Sequence, residues 1–238
     1  MIRSFTLIEL LVVIIIIGII VSTLSFNFSP NQLELAADQI IKDIRFAQSL
    51  ALKDDKYQPF PENNTSIEEN RSKYWFKQWW QIRFFANQKK DYFYEIFSDS
   101  PNNKNLFDQV GNPVSEFALD SLTKKYKTGN YTSKTDEDLN LSKYGIKMIL
   151  LNNKKVTSHL SQRLLFDNYG NIYLSEGISG DGGDLNPLDK NDRKLLTQAI
   201  KIRLCNKLNL SNNCLIDKKH CIAIEISPTG SLEKSSCN

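Results

Sequence analysis

Histidine is nearly missing from this chain: there are two, His159 and His220. Neither stands in an HExxH motif or among cysteines at metal-ligand spacing, which excludes the helix-borne zinc hydrolase pattern. No GxSxG and no GxxxxGK occurs, so the chain has neither a nucleophile elbow nor a phosphate-cradling loop. Both histidines read as surface residues, and no enzyme is expected. No internal repeat stands out. Positive charge is absent over a long stretch, with no Lys or Arg between Arg3 and Lys42.

That stretch holds the most informative segment. Residues 5–24, FTLIELLVVIIIIGIIVSTL, are apolar apart from one ionisable residue, Glu9. At about 1.5 Å per residue such a helix spans roughly 30 Å, the thickness of a bilayer's hydrocarbon core, so the expectation is a membrane anchor. A carboxylate inside it costs about 2–3 kcal/mol at mid-helix and less near an interface, so Glu9 calls for a reason. The leader is only Met1 to Ser4, and its small residue precedes the apolar run. A secretory signal peptide places that residue after the run, so the helix is expected to survive processing. Arg3 on the near side favours a cytoplasmic N-terminus and an exported remainder.

Ser4 followed by Phe5-Thr6-Leu7-Ile8-Glu9-Leu10 and a Val/Ile-rich helix resembles the class III signal of type IV prepilins and of the pseudopilins of type II secretion. The family usually has Gly where this chain has Ser4, with Ala and Ser also found there. The resemblance implies that a prepilin peptidase cuts between Ser4 and Phe5, that the new Phe5 amine is N-methylated, and that Glu9 acts in filament assembly. Physically, a terminal amine with a pKa of about 8 can meet a neighbour's carboxylate in a bundle of parallel helices. The pair offsets the penalty each charge would suffer alone, and Glu9 would then set the stagger between subunits. The plainer alternative is a Glu that reaches out to water.

Further on, Ser29-Pro30-Asn31-Gln32 reads as a helix start, with an N-cap, Pro at the first helical position and Gln closing a capping box. Leu33, Ala37, Ile40, Ile41, Ile44, Ala47 and Ala51 recur at helical spacing, with Glu34, Asp38, Lys42, Asp43 and Arg45 on other faces. Pro30 either kinks one long helix or separates two. The segments 79–86, 92–98, 145–151, 163–167, 171–175, 199–205 and 221–227 read as strands. Turn residues at Asp167-Asn168-Tyr169-Gly170 and Ser227-Pro228-Thr229-Gly230 predict two hairpins. The polar stretches 62–72 and 128–140 read as loops.

The expected organisation is a leader (1–4), a transmembrane and assembly helix (5–28), an amphipathic helix (29–54) and an exported head (55–238). The expected fold class is α+β and pilin-like, a long N-terminal helix packed on an antiparallel β-sheet head. The two hairpin segments, LFDNYGN at 165–171 and IEISPTG at 224–230, resemble recurrent strand-turn elements of the FimT/GspH group of minor pilins and pseudopilins. A long middle stretch, about residues 55–140, falls outside that pattern and reads as an insertion. The resemblance implies a non-enzymatic subunit of a type IV pilus or type II secretion pseudopilus. Its expected partners are other pilins or pseudopilins, the prepilin peptidase and an inner-membrane assembly platform. Its expected location is the inner membrane, single-pass with a periplasmic head, and then the filament.

Three further groups of residues invite chemistry. Cys205, Cys214, Cys221 and Cys237 are even in number and clustered late in the chain, as in an oxidised exported domain. Of three possible pairings, those expected join Cys205 to Cys214 or to Cys221, the remainder closing the C-terminus, each bridge stabilising by about 2–4 kcal/mol; free thiols are the alternative. A zinc site would want CxxC spacing, which is absent. Asp181, Asp184 and Asp189 in a Gly-rich stretch are weak candidates for calcium, without EF-hand spacing; no cofactor is otherwise expected. Lys73, Lys77 and Arg83, interleaved with Trp75, Phe76, Trp79 and Trp80, are candidates for nucleic-acid binding, as in a minor pilin serving DNA uptake. The alternative is core packing with a solvated basic face, and a net charge of +3 does not decide between them.

Overall fold

The computed structural model describes residues 6–24, 31–73, 75–100, 114–129, 134–158, 160–178 and 194–237. The chain divides into two compact units, Met1–Asn31 and Gln32–Asn238. The first contains helix α1 (Leu7–Leu24). The second holds α2 (Gln32–Lys53), α3 (Ser66–Lys73) and ten strands.

The strands form two five-stranded antiparallel sheets. The first has the order β2-β1-β5-β6-β7, built from β1 (Trp80–Ala86), β2 (Tyr92–Ser98), β5 (Leu160–Phe166), β6 (Ile172–Ile178) and β7 (Lys194–Leu195). The second has the order β10-β9-β8-β3-β4, built from β3 (Met148–Leu151), β4 (Lys154–Lys155), β8 (Ile200–Cys205), β9 (Cys221–Ile226) and β10 (Leu232–Ser235). Helix α2 packs on β1 and β5 of the first sheet and on β8 and β9 of the second. Its Leu33, Ala36, Ala37, Ile40, Ile44, Ala47 and Ala51 are all buried. They share one apolar core with Ile82, Phe84, Ile96, Leu164 and Phe166 from one sheet and Ile202, Leu204, Ile222 and Ile224 from the other. Small residues at 36, 37, 47 and 51 let backbones approach, and each fully buried Ile or Leu contributes about 1.5–3 kcal/mol.

Both expected hairpins are present, and their turns meet α2. Gly170, at φ +84°, closes the β5–β6 turn, and a Cβ there would lie 3.8 Å from the Leu52 side chain. Asp167 is buried and organises that turn, accepting from the amides of Tyr169 (3.0 Å) and Asn171 (2.8 Å), from Asn171 Nδ2 (2.8 Å) and from the Tyr173 hydroxyl (3.2 Å). Gly230, at φ +87°, closes the β9–β10 turn, and its carbonyl accepts from Gln48 Nε2 at 3.4 Å. Only glycine occupies this left-handed region without a Cβ penalty.

Several expectations are corrected. The fold is not one long N-terminal helix on one sheet: α1 and α2 belong to different units, and α2 is held by two sheets. Residues 55–140 supply β1 and β2, as the strand readings at 79–86 and 92–98 expect. The 62–72 stretch is not all loop. It contains most of α3, which has no apolar stripe to reveal it and starts at Thr65, whose hydroxyl accepts from the Glu68 amide at 3.4 Å. Glu68 in turn pairs with Arg71 at 2.7 Å. The helix start read at Ser29-Pro30 lies outside the described residues.

The membrane expectation is also overturned. Among the described residues no helix is long and apolar enough to cross a membrane, so the single-pass inner-membrane anchor and periplasmic head are not supported. Among the described residues α1 runs from Leu7 to Leu24, with Thr6 as its N-cap.

Candidate functional site

Among the described side chains of α1, residues 7–19, none is buried. The fractional exposure of its large apolar side chains from Leu7 to Ile19 runs from 42% at Val13 to 83% at Leu7. Such a surface loses free energy in water at about 25 cal/mol per Å², which favours covering it. Glu9 sits in its first turn. The Glu9 carboxylate accepts from the Thr6 amide at 2.9 Å and from the Thr6 hydroxyl at 2.7 Å, both through Oε2, while the Glu9 amide donates to the Thr6 hydroxyl at 3.4 Å. This reciprocal exchange is a capping box, and a negative charge there also complements the helix dipole. The spacing Thr6-x-x-Glu9, which the hydropathy reading passes over, is the signal that could have placed this helix start. Ser4 and Phe5, the processing site, lie outside the described residues.

A second polar cluster, inside the Gln32–Asn238 unit, has no signal in the sequence. Helical spacing puts Asp43 of α2 off the apolar stripe, yet it is fully buried. Tyr94 of β2 donates to Asp43 Oδ2 at 2.7 Å, and Gln39 Nε2 donates to the same oxygen at 2.9 Å. Lys127, only 2% exposed, places Nζ 3.2 Å from Asp43 Oδ1, 2.8 Å from Asp136 and 3.5 Å from Asp120. Burial works against the charge on Lys127, but Asp43 and Asp136 outweigh it and hold its pKa above the ordinary value. The Tyr94 hydroxyl is pushed well up by burial and by the Asp43 charge. The cluster joins α2 and β2 to the described residues 114–129 and 134–140.

Residues of these two stretches also cover the edge of β2. Phe117 pairs with Phe97, Thr128 with Glu95 and Asn140 with Phe93. The amide of Ile96 donates to Lys127 O at 2.8 Å, and the amide of Ala118 donates to Ile96 O at 2.9 Å. Pairing of this kind removes an exposed strand edge.

The three basic candidates lie in different surroundings. Arg83 lies on β1 directly opposite Glu95 of β2 and pairs with it at 2.9 Å, both buried. Strand β1 is buried on both faces rather than half-exposed. Lys73 is exposed at the end of α3, and Lys77 is half-buried in the short 75–78 turn of 3-10 helix. The aromatics of this stretch contact each other and the body. Tyr57 and Trp75 meet edge to face at 5.0 Å, Trp75 and Trp79 at 5.7 Å, and Trp79 stacks on Tyr173 at 4.8 Å. Trp80 donates its indole N–H to Asp54 at 2.8 Å, joining the start of β1 to the end of α2.

The cysteines form two disulfides, Cys205–Cys214 and Cys221–Cys237, which resolves the open pairing. The calcium candidates Asp181, Asp184 and Asp189 lie outside the described residues, as does His159. His220 is half-buried with Nδ1 against Asp217 at 2.8 Å. Comparison with family models, with curated proteins and with solved structures finds no match to the chain.

Proposed function

We propose that this chain is a minor pilin or pseudopilin, a structural subunit that enters a type IV pilus or type II secretion pseudopilus through α1 after its leader is removed by a prepilin peptidase. One observation carries the reading: from Leu7 to Ile19 every large apolar side chain of α1 is at least 42% exposed. That apolar surface is what α1 helices of neighbouring subunits would cover. Glu9 fits this role because the cap uses Oε2, so Oε1 is not needed for it. A neighbour's Phe5 amine is the partner it would take, as the resemblance at residues 4–10 implies.

The test exploits the difference between cap and charge. Glu9→Gln keeps an acceptor for the Thr6 amide and hydroxyl, since Gln also completes a capping box. It removes the charge that a neighbouring amine requires. The expected result is a processed chain that fails to enter filaments, scored by immunogold microscopy, with mass spectrometry showing Phe5 at the N-terminus. Incorporation of Glu9→Gln at the wild-type level would refute a charged contact, and an intact Met1 in native material would refute processing.

A further inference from the structure

We propose that the four cysteines form a closed tetrahedral zinc site when the two disulfides are reduced. Four thiolates at about 2.3 Å from Zn²⁺ stand about 3.8 Å apart, the edge of a tetrahedron of that radius. The sulfurs already stand near that spacing where they are not bonded: Cys205 Sγ lies 3.7 Å from Cys221 Sγ, and Cys214 Sγ lies 3.5 Å from it. The sulfurs of Cys205, Cys214 and Cys221 all fall within 4.8 Å of one another. Cys237 stands outside that group of three and is tied to it by its bond to Cys221. Once the bridges open, the C-terminal tail after β10 must swing its thiolate in to complete the set.

Strand register does what the missing CxxC spacing does in other zinc proteins. Cys205 on β8 and Cys221 on β9 are direct cross-strand partners, so two ligands are fixed by backbone pairing. Cys214 comes from the loop between those strands and Cys237 from the tail after β10. All four are buried, and they pack with Met148, Ala223 and the partly buried Leu150 and Leu208. A site closed to water with no open coordination position is a structural one. A zinc ion with four thiolates carries two negative charges. The 206–220 loop carries Lys207, Lys218 and Lys219 against a single acid, Asp217, which matches that charge.

The exchange balances. Each disulfide takes two electrons and two protons from a dithiol reductant, which is oxidised to its own disulfide. Four cysteine thiols result, and Zn²⁺ displaces four protons as four Zn–S bonds form. The proposal is independent of the assembly role of α1.

Cobalt titration of the full-length protein, reduced with a phosphine under anaerobic conditions, tests it. The expected result is a thiolate-to-cobalt charge-transfer band with the visible bands of tetrahedral cobalt, saturating at one ion per chain and bleached by one equivalent of Zn²⁺. The oxidised protein should show neither band. Cys214→Ser and Cys237→Ser should each weaken cobalt binding by about tenfold or more. A reduced protein with no tetrahedral spectrum overturns the proposal, and so does a Cys214→Ser or Cys237→Ser variant that binds as tightly as the parent. Circular dichroism during reduction in excess Zn²⁺ gives a second readout: a fold kept only when Zn²⁺ is present supports the site, and a fold lost despite Zn²⁺ overturns it.

Discussion

Replacing Lys127 by Met removes one charge while keeping most of the side chain's length and volume, so the packing of the 114–140 segment changes little. What changes is the surroundings of Asp43. Its carboxylate is fully buried, and its nearest cation would be gone. Asp136 and Asp120 also pair with Lys127, but they reach the surface in part and water can take over some of the lost interaction. Asp43 has no such relief. Breaking a buried pair by removing one partner costs about 3–5 kcal/mol, and the partial exposure of the other two carboxylates puts the expected loss at about 3–4 kcal/mol. In a body of this size that lowers the melting temperature by about 6–16 °C. Urea denaturation followed by tryptophan fluorescence measures it, since all three tryptophans, Trp75, Trp79 and Trp80, belong to the Gln32–Asn238 unit. Adding Asp43→Asn to Lys127→Met removes the stranded charge and leaves an amide oxygen for the Tyr94 hydroxyl. The double variant should recover about 1–2 kcal/mol of the loss. A loss below about 1 kcal/mol for Lys127→Met, or a double variant no better than the single one, would refute the description of this cluster as a buried lock.

The same cluster predicts alkaline sensitivity. Lys127 and Tyr94 both hold their protons to higher pH in the folded chain than in the unfolded one, so their contribution is complete below about pH 10 and is lost as pH rises beyond it. The urea midpoint should fall above that pH, and less steeply in Tyr94→Phe. Asp167→Ala should cost about 1–3 kcal/mol, because it leaves the Asn171 and Tyr169 amides of the β5–β6 turn without their acceptor, and thermal denaturation reads it directly. Thr6→Ala removes the hydroxyl of the α1 cap but leaves the Glu9 charge, so it should lower helix stability by about 0.5–2 kcal/mol while filaments still form.

Much of the body was legible because its strands are bounded by clear punctuation. The 92–98 strand reads directly from YFYEIFS, and the two hairpins read from DNYG and SPTG, whose glycines meet a backbone need at positive φ. The stripe Leu33, Ala37, Ile40, Ile44, Ala47, Ala51 also predicts the buried face of α2. Asp43 was misplaced because helical periodicity treats every charge as a solvated one. Only Tyr94 from a strand and Lys127 from an irregular segment, 51 and 84 residues away in the chain, make its burial tolerable. Arg83 was read as available for phosphate for the same reason: its partner Glu95 sits across a strand pair, and register is not visible in composition.

By itself the sequence determined what is local: where the chain turns, which residues of a helix are apolar, that one helix is apolar throughout and carries a single acid, and that the resources for metal or nucleophile chemistry are few. Tertiary structure decided what depends on two distant segments meeting. It divided the strands between two sheets around α2, put Asp43, Lys127 and Arg83 out of reach of water, and paired Cys205 with Cys214 and Cys221 with Cys237. The physical reason is the same in each case. A turn or an apolar stripe is set by a residue's own backbone and side-chain preferences, whereas the environment of a charge or a thiol is set by whatever the fold brings within a few ångströms of it.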